Sequence, residues 1–324
     1  MKPGRLTSGR LTPGRLVTIG SFDGVHRGHQ ALLARTVAEA RKRNLRSLAL
    51  TFTVPPKMFL ESHSSLSLLS TPVEKECLIR SFGIDEVVSL DFSSQMAKMR
   101  SFEFFRRVLL EQLKAKGLVV GLDFRFGAER GGGAHDLVRW GCDYEIPVWV
   151  ISPVRYSQKI VSSTLIRQFI RGNRLRAATH FLGHPYVIHG TVVKGNGIGR
   201  SLGFPTANLK VAPGKILPKG VYAVEAWVAP ERSLPSLLSG FGRPGKRRRG
   251  VCNIGLRPTL LKKSELSVEV HFFEPVKKME GHHVVVQLMH LLREEKKFSS
   301  KEALIKAIAN DVKRGRACFS CHKK

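Results

Sequence analysis

Acidic side chains are scarce in this chain of 324 residues: 25 Asp and Glu stand against 54 Lys and Arg, a formal net charge of +29. Cysteine is thin as well. The five (Cys77, Cys142, Cys252, Cys318, Cys321) are an odd number spread over the whole length, which argues against a disulfide framework. No uninterrupted apolar run approaches the roughly 18 to 20 residues of a bilayer span, and the opening MKPGRLTSGRLTPGRL lacks the apolar core of a secretion signal. The expectation is a soluble, cytoplasmic protein with no membrane partner. Apolar residues make up 42% of the chain, enough to exclude a disordered polymer, and the length suits two domains with a core each.

An excess of positive charge raises nucleic acid, anionic membranes and polyphosphate compounds as partners. Its distribution narrows the choice. Four basic residues fall in 1–16, five in 240–250 (GFGRPGKRRRG) and five in 313–324, together about half of the excess. Like-charge runs of this kind are expected to be solvated. We read 1–14, with its three copies of GRL, as a disordered basic arm and 316–324 as a basic tail. The tail carries CFSCH, the spacing of a c-type haem attachment or of part of a zinc site, but at a chain end it reads more simply as a frayed segment with accidental spacing.

Strand and helix signals alternate through the first half. Leu16 to Ile19, Ser47 to Phe52, Glu86 to Leu90, Leu118 to Gly121 and Val148 to Ile151 read as strands. Helical patterns separate them, with Leu32, Leu33, Thr36, Val37 and Ala40 on one face of the first and others around 73–82 and 102–114. The expected fold class is α/β, a parallel sheet with crossover helices. A helix from Ser163 to Arg171, stopped by Gly172 and Asn173, closes the region. Beyond about residue 184 the segments Tyr186 to Val193, Val221 to Val228, Leu266 to Phe273 and His283 to His290 alternate as in a small antiparallel β-barrel, and Ser299 to Lys313 reads as a terminal helix. The domains are expected at 15–180 and 181–315, joined by a helical connector.

The segment TIGSFDGVHRGHQALL places Gly20, Gly24 and Gly28 around an HxGH element between strand one and helix one. Glycines there let backbone approach phosphate, and helix-start amides favour anionic oxygen. His26 and His29, three apart across the first turn, can donate to one phosphate; two surface caps are the plainer alternative. GSFDGVHRGHQALL resembles the nucleotidyltransferase signature of the bacterial bifunctional riboflavin kinase/FAD synthetase family. The resemblance continues through VVGLDFRFGAERGGG, VSSTLIRQFIRGN, HGTVVKGNGIGRSLGFPTANL, KGVYAVEAWV, GVCNIGLRPTL, LSVEVHFFE and LREEKKF, covering about residues 15–313 in the family's order.

The resemblance implies an N-terminal Rossmann-like nucleotidyltransferase domain that transfers AMP from ATP to FMN, giving FAD and pyrophosphate. It assigns His26 and His29 to the α-phosphate as catalytic donors. Gly20, Phe22, Asp23, Gly24, Ser162, Ser163, Thr164 and Arg167 fall to ATP and its phosphates, and Asp123 to the flavin. The SST run also reads as an ordinary N-cap, which is compatible with phosphate binding because both use the same amides. Two positions depart from the family: Thr53, Val54, Pro55 and Pro56 where TFEPHP is usual, and Gly133 where RxGD ends in aspartate.

In the second half, Gly195, Gly197 and Gly199 precede Arg200 in a loop that is not the dinucleotide fingerprint, since the third glycine comes too early and Gly203 and Pro205 oppose a helix. Such a loop can wrap phosphates with amides and one guanidinium. Resemblance to riboflavin kinase assigns it to ATP, and assigns Thr206 and Asn208 of PTAN to Mg²⁺; a simple Pro-containing turn is the alternative. Strand alternation puts Ser267, Glu269 and His271 on the polar face of LSVEVHF. The family's general base maps onto Glu269, though period alone fits a solvent-facing strand residue equally well. The expected protein makes FMN from riboflavin and FAD from FMN, using ATP and Mg²⁺. Its alternatives are a riboflavin kinase with a degenerate first domain, or a nucleic-acid-binding protein on a nucleotidyltransferase scaffold, with nucleic acid disfavoured as the main partner.

Overall fold

The computed structural model describes residues 14–56, 59, 68–195, 197–229, 247–256, 266–274, 276 and 279–320. The basic arm up to residue 13, Lys246, Cys321 and His322 lie outside the described residues. The chain divides into two compact units, one of residues 1–22, 28–62 and 82–154, the other of 23–27, 63–81 and 155–324.

The first unit is built on five parallel strands: β1 (Arg15–Ile19), β2 (Arg46–Phe52), β3 (Glu86–Leu90), β4 (Ala115–Gly121) and β5 (Val148–Ile151), in the order β3-β2-β1-β4-β5. Its strands are apolar at successive positions because both faces are covered. Val17, Ile19, Leu48, Leu50, Leu118 and Val120 pack with Phe104, Phe105, Leu109 and Leu137 on one face. Leu16 and Val119 pack with Ala40 of α1 (Arg27–Lys42) on the other. Connections leave β1 toward β2 on one side, while β4 pairs on its other side. The carboxyl end of β1 therefore stands at the switch point where open α/β sheets hold ligands.

The second unit contains α2 (Pro72–Ser81), α4 (Ser163–Arg171), α5 (Leu175–Leu182) and a closed barrel; α3 (Ala134–Asp143) belongs to the first. The barrel strands are β6 (Val187–Val193), β7 (Ala207–Val211), β8 (Gly220–Ala229), β9 (Arg247–Leu256), β10 (Leu266–Phe272) and β11 (His283–Arg293). They run in the order β6-β7-β10-β9-β8-β11, and β6 closes onto β11. The terminal helix α6 (Lys301–Ser320) covers Val221, Ala223, Val251 and Leu292 with Val312, Cys318 and Phe319. This is why β8 is buried at nearly every position and not at alternate ones.

Four readings of the sequence differ from the structure. Residues 316–320, read as a frayed tail, are the last turn of α6, held there by the apolar contacts of Cys318 and Phe319. Arg247 to Arg249, read as part of a solvated charge run, open a barrel strand in which Arg247 and Arg249 both reach Glu225. The helix expected over 102–114 starts at Ser101 as α-helix but is wound as π-helix from Phe104 to Gln112, with Leu113 N donating to Val108 O five residues back. That wider turn buries Phe104, Phe105, Val108 and Leu109 as two pairs four apart, a spacing an α-helix shares. The strands β7 and β9 were not read from the sequence.

Candidate active sites

The chain leaves β1 in a conformation few residues tolerate. Phe22, Gly24 and Val25 have φ of +47°, +78° and +38°, and a β-branched residue there is strained. In the first unit, Phe22 is fully buried with its ring against Gly20, where a Cβ would stand 3.2 Å from the ring, and it meets His29 edge to face at 5.3 Å. Gly20 N donates to Leu50 O at 3.1 Å, so this amide belongs to the sheet and not to a phosphate cradle. Asp123 is exposed just beyond the carboxyl end of β4.

In the second unit Asp23 is 2% exposed and makes several strong bonds. Its carboxylate accepts from Leu69 N at 2.9 Å, from Ser70 N at 3.0 Å and from the Arg167 guanidinium at 2.5 Å. Asp23 is thus an anchor for Arg167 on α4, which corrects its assignment to ATP phosphate: a carboxylate repels phosphate and this one already holds a cation. Gly24 N donates to Ser70 Oγ at 2.9 Å and its carbonyl meets His184 Nε2 at 2.9 Å. A Cβ there would lie 2.9 Å from Leu69, so this glycine is required by φ and by packing, and its amide is also withdrawn from the expected cradle.

The start of α4 divides its hydroxyls by task. Ser162 Oγ accepts from Leu165 N at 3.3 Å as the N-cap, and Ser163 Oγ donates to Asp23 O at 3.0 Å. Thr164 is exposed. His26 is 6% exposed, and burial first, then the positive field of His184 and Arg167, lowers its pKa to about 4. At neutral pH it is an uncharged imidazole with one N–H to donate. Lys75 on α2 escaped the sequence reading; burial lowers its pKa to about 8 against the opposing pull of Asp23. Nothing in its sequence neighbourhood distinguishes it from a surface lysine.

The barrel brings the other candidates together by strand register. Asn208 on β7 pairs with Glu269 on β10, which pairs in turn with Asn253 on β9, so three polar residues form a row across the wall. Val268, Val270 and Phe272 are buried on the other face, as the alternation predicts. Asn253 was not singled out, because β9 was not recognised. His271 Nδ1 meets Pro205 O at 2.9 Å and its ring packs edge to face on Phe204, fixing the turn that presents Thr206. The glycine loop closes on the same residues: a Cβ on Gly195 would collide with the Asn208 amide, and one on Gly199 would lie 2.5 Å from Phe204 O and 3.0 Å from Thr206 Oγ1. Gly197 has φ of +73°, and one helical turn, Ile198–Ser201, carries the exposed Arg200.

Comparison with known proteins agrees with this arrangement. Residues 10–165 match the FAD synthetase family model and 182–319 the riboflavin kinase model. A bifunctional riboflavin kinase/FMN adenylyltransferase of Escherichia coli strain K12 is 35% identical over 96% of this chain and 94% of its own length. The protein of the same name from Buchnera aphidicola of Schizaphis graminum is 34% identical over 94% and 93%. A crystal structure from Streptococcus pneumoniae, described as a macrolide-efflux protein, superposes with a TM-score of 0.79 at 31% identity, covering 95% of each chain. Among the described residues no helix is long and apolar enough to cross a membrane. With both family models matched in tandem and relatives alike over nearly their full length, the chain belongs to the bifunctional riboflavin kinase/FMN adenylyltransferase family.

Proposed function

We propose that residues 181–315 phosphorylate riboflavin to FMN with ATP, and that residues 15–180 transfer AMP from ATP to FMN, giving FAD and pyrophosphate, in the cytoplasm. The observation that supports the kinase assignment best is the row Asn208, Glu269, Asn253 beside the glycine loop. As the ribityl hydroxyl attacks the γ-phosphorus, its proton passes to the Glu269 carboxylate and ADP leaves. His271 holds the Pro205 turn, and the loop of Gly195, Gly197 and Gly199 with Arg200 faces the phosphates.

Thr206 and Asn208 suit Mg²⁺, because both offer neutral oxygens and the two flanking glycines leave the space beside them clear of any Cβ. When bound, the ion supplies neutralisation of phosphate charge. In the adenylyl transfer, an oxygen of the FMN phosphate displaces pyrophosphate at the α-phosphorus, with His26 and His29 as N–H donors to the charge that develops there. His26 does so as a neutral ring, which avoids the desolvation cost of a buried imidazolium. Arg167, aimed by Asp23, and the hydroxyl of Thr164 serve the leaving pyrophosphate, and Asp123 contacts the flavin. Incubation with riboflavin, ATP and Mg²⁺ followed by chromatography tests the whole: FMN and FAD should both appear. Absence of FMN would refute the kinase assignment, and FMN without FAD the adenylyltransferase.

A further inference from the structure

Two of the basic runs are not needed by either reaction, yet the fold joins them. Arg247, Arg248 and Arg249 open β9, and Lys313, Arg314 and Arg316 lie in the last turns of α6. Gly315, between two arginines, is buried because the helix lies against the barrel there: a Cβ would stand 2.9 Å from Val251 and 3.1 Å from Phe273. That approach sets the two runs side by side. The Arg249 guanidinium lies 4.8 Å from the centre of the Phe319 ring and that of Arg316 4.7 Å from the centre of Phe273. The two rings meet edge to face at 6.3 Å, and Arg316 also donates to Phe273 O at 3.1 Å. Among the described residues, the carboxylates paired with this group are Glu225, shared by Arg247 and Arg249, and Glu274, 3.9 Å from Arg248. Six cations against two anions leave a strongly positive surface.

We propose that this surface binds single-stranded nucleic acid. A guanidinium laid on a phenylalanine keeps its outer face for an unstacked base and its N–H edge for phosphate, and the stacking limits the rotamer entropy lost on binding. An anionic membrane fits less well. Phe273 and Phe319 are half-buried under the arginines, and the neighbouring exposed positions Lys313, Arg314, Ala317 and Ser320 offer no large apolar side chain to insert.

The test uses the full chain and a fluorescein-labelled single-stranded RNA of about 12 nucleotides, followed by anisotropy from about 50 to about 200 mM salt. The wild type should bind saturably. Arg249→Gln with Arg316→Gln should weaken binding at least about tenfold and lower the slope of log K against log salt by about 2. Arg249→Lys with Arg316→Lys keeps the charge but loses the planar stack; it should weaken binding several-fold with the slope unchanged. FMN formation and melting temperature should stay at wild-type values in both. Because the whole chain is basic, Arg106→Gln with Arg139→Gln, exposed in the first unit, is the control and should change affinity less than about twofold. An equal loss in this control, equally tight binding of a duplex of the same length, or binding of phosphatidylserine vesicles that the RNA cannot displace would overturn the proposal.

Discussion

A glutamate flanked in register by two asparagines keeps amide groups beside its carboxylate without neutralising it, as a proton acceptor requires. Glu269→Gln preserves the shape and removes the acceptor. FMN formation should fall at least about 100-fold, while conversion of supplied FMN to FAD stays at the wild-type rate; both are read by chromatography. His29→Ala should do the reverse, lowering FAD formation by about 100-fold with FMN formation intact, and equal loss of both activities in either variant would contradict the division of labour. His26 carries a linkage effect of definite sign. Its folded pKa, about 4, lies below the ordinary 6.5, so on acidification the unfolded chain takes up the proton first and stability falls as pH drops from about 6.5 to about 4. Between about pH 7 and about pH 5 this amounts to roughly 2 kcal/mol, and urea unfolding of the wild type and His26→Gln at both values should show the difference shrinking in the variant.

At the scale of elements, what the sequence displayed depended on how many neighbours an element needs. The strands of the sheet and α4 announce themselves through period and caps, because each buries a full face or carries its own stop. β9 did not, since Arg247 to Arg249 mask its start; the structure shows Glu225 on the adjacent strand β8 receiving two of those charges. α6 extends past Lys313 for the same kind of reason, its final turn lying on the barrel through Cys318 and Phe319. Gly315 is the point of closest approach. Gly315→Val should lower stability by about 2 kcal/mol, because its side chain needs space held by Val251 and Phe273. Gly315→Ala should fall between, its contact cost offset by about 1 kcal/mol of helix propensity, and thermal unfolding distinguishes the three proteins.

For the molecule as a whole, a buried ion pair ties distant parts of the second unit together. Lys215 Nζ lies 2.7 Å from Glu74 Oε2 with both side chains 2% exposed, and it also donates to Leu69 O at 2.8 Å. Glu74 in turn accepts from Thr71 N and His189 N, joining α2 to the first barrel strand. Lys215→Met should destabilise by about 3 kcal/mol, because it leaves a carboxylate buried without its cation. A midpoint of urea unfolding unchanged from wild type would show that the pair contributes nothing. The net charge of +29 takes a different meaning at this scale: two of the three basic runs are elements of a packed surface, while the arm lies outside the described residues.

The sequence by itself determined the family, through motifs that occur in order from about residue 15 to 313, and the two kinds of architecture, through period and turn chemistry. Local patterns suffice for these because a strand's alternation or a glycine's φ is set within a few residues. Only the tertiary structure decided what Asp23, Gly24 and Gly315 are for. Asp23 meets Arg167 across 144 positions of chain and Lys215 meets Glu74 across 141, and no local pattern encodes partners so distant. Folding selects such pairs because a buried charge or a Cβ without space is costly, and that cost arises only once the segments are packed.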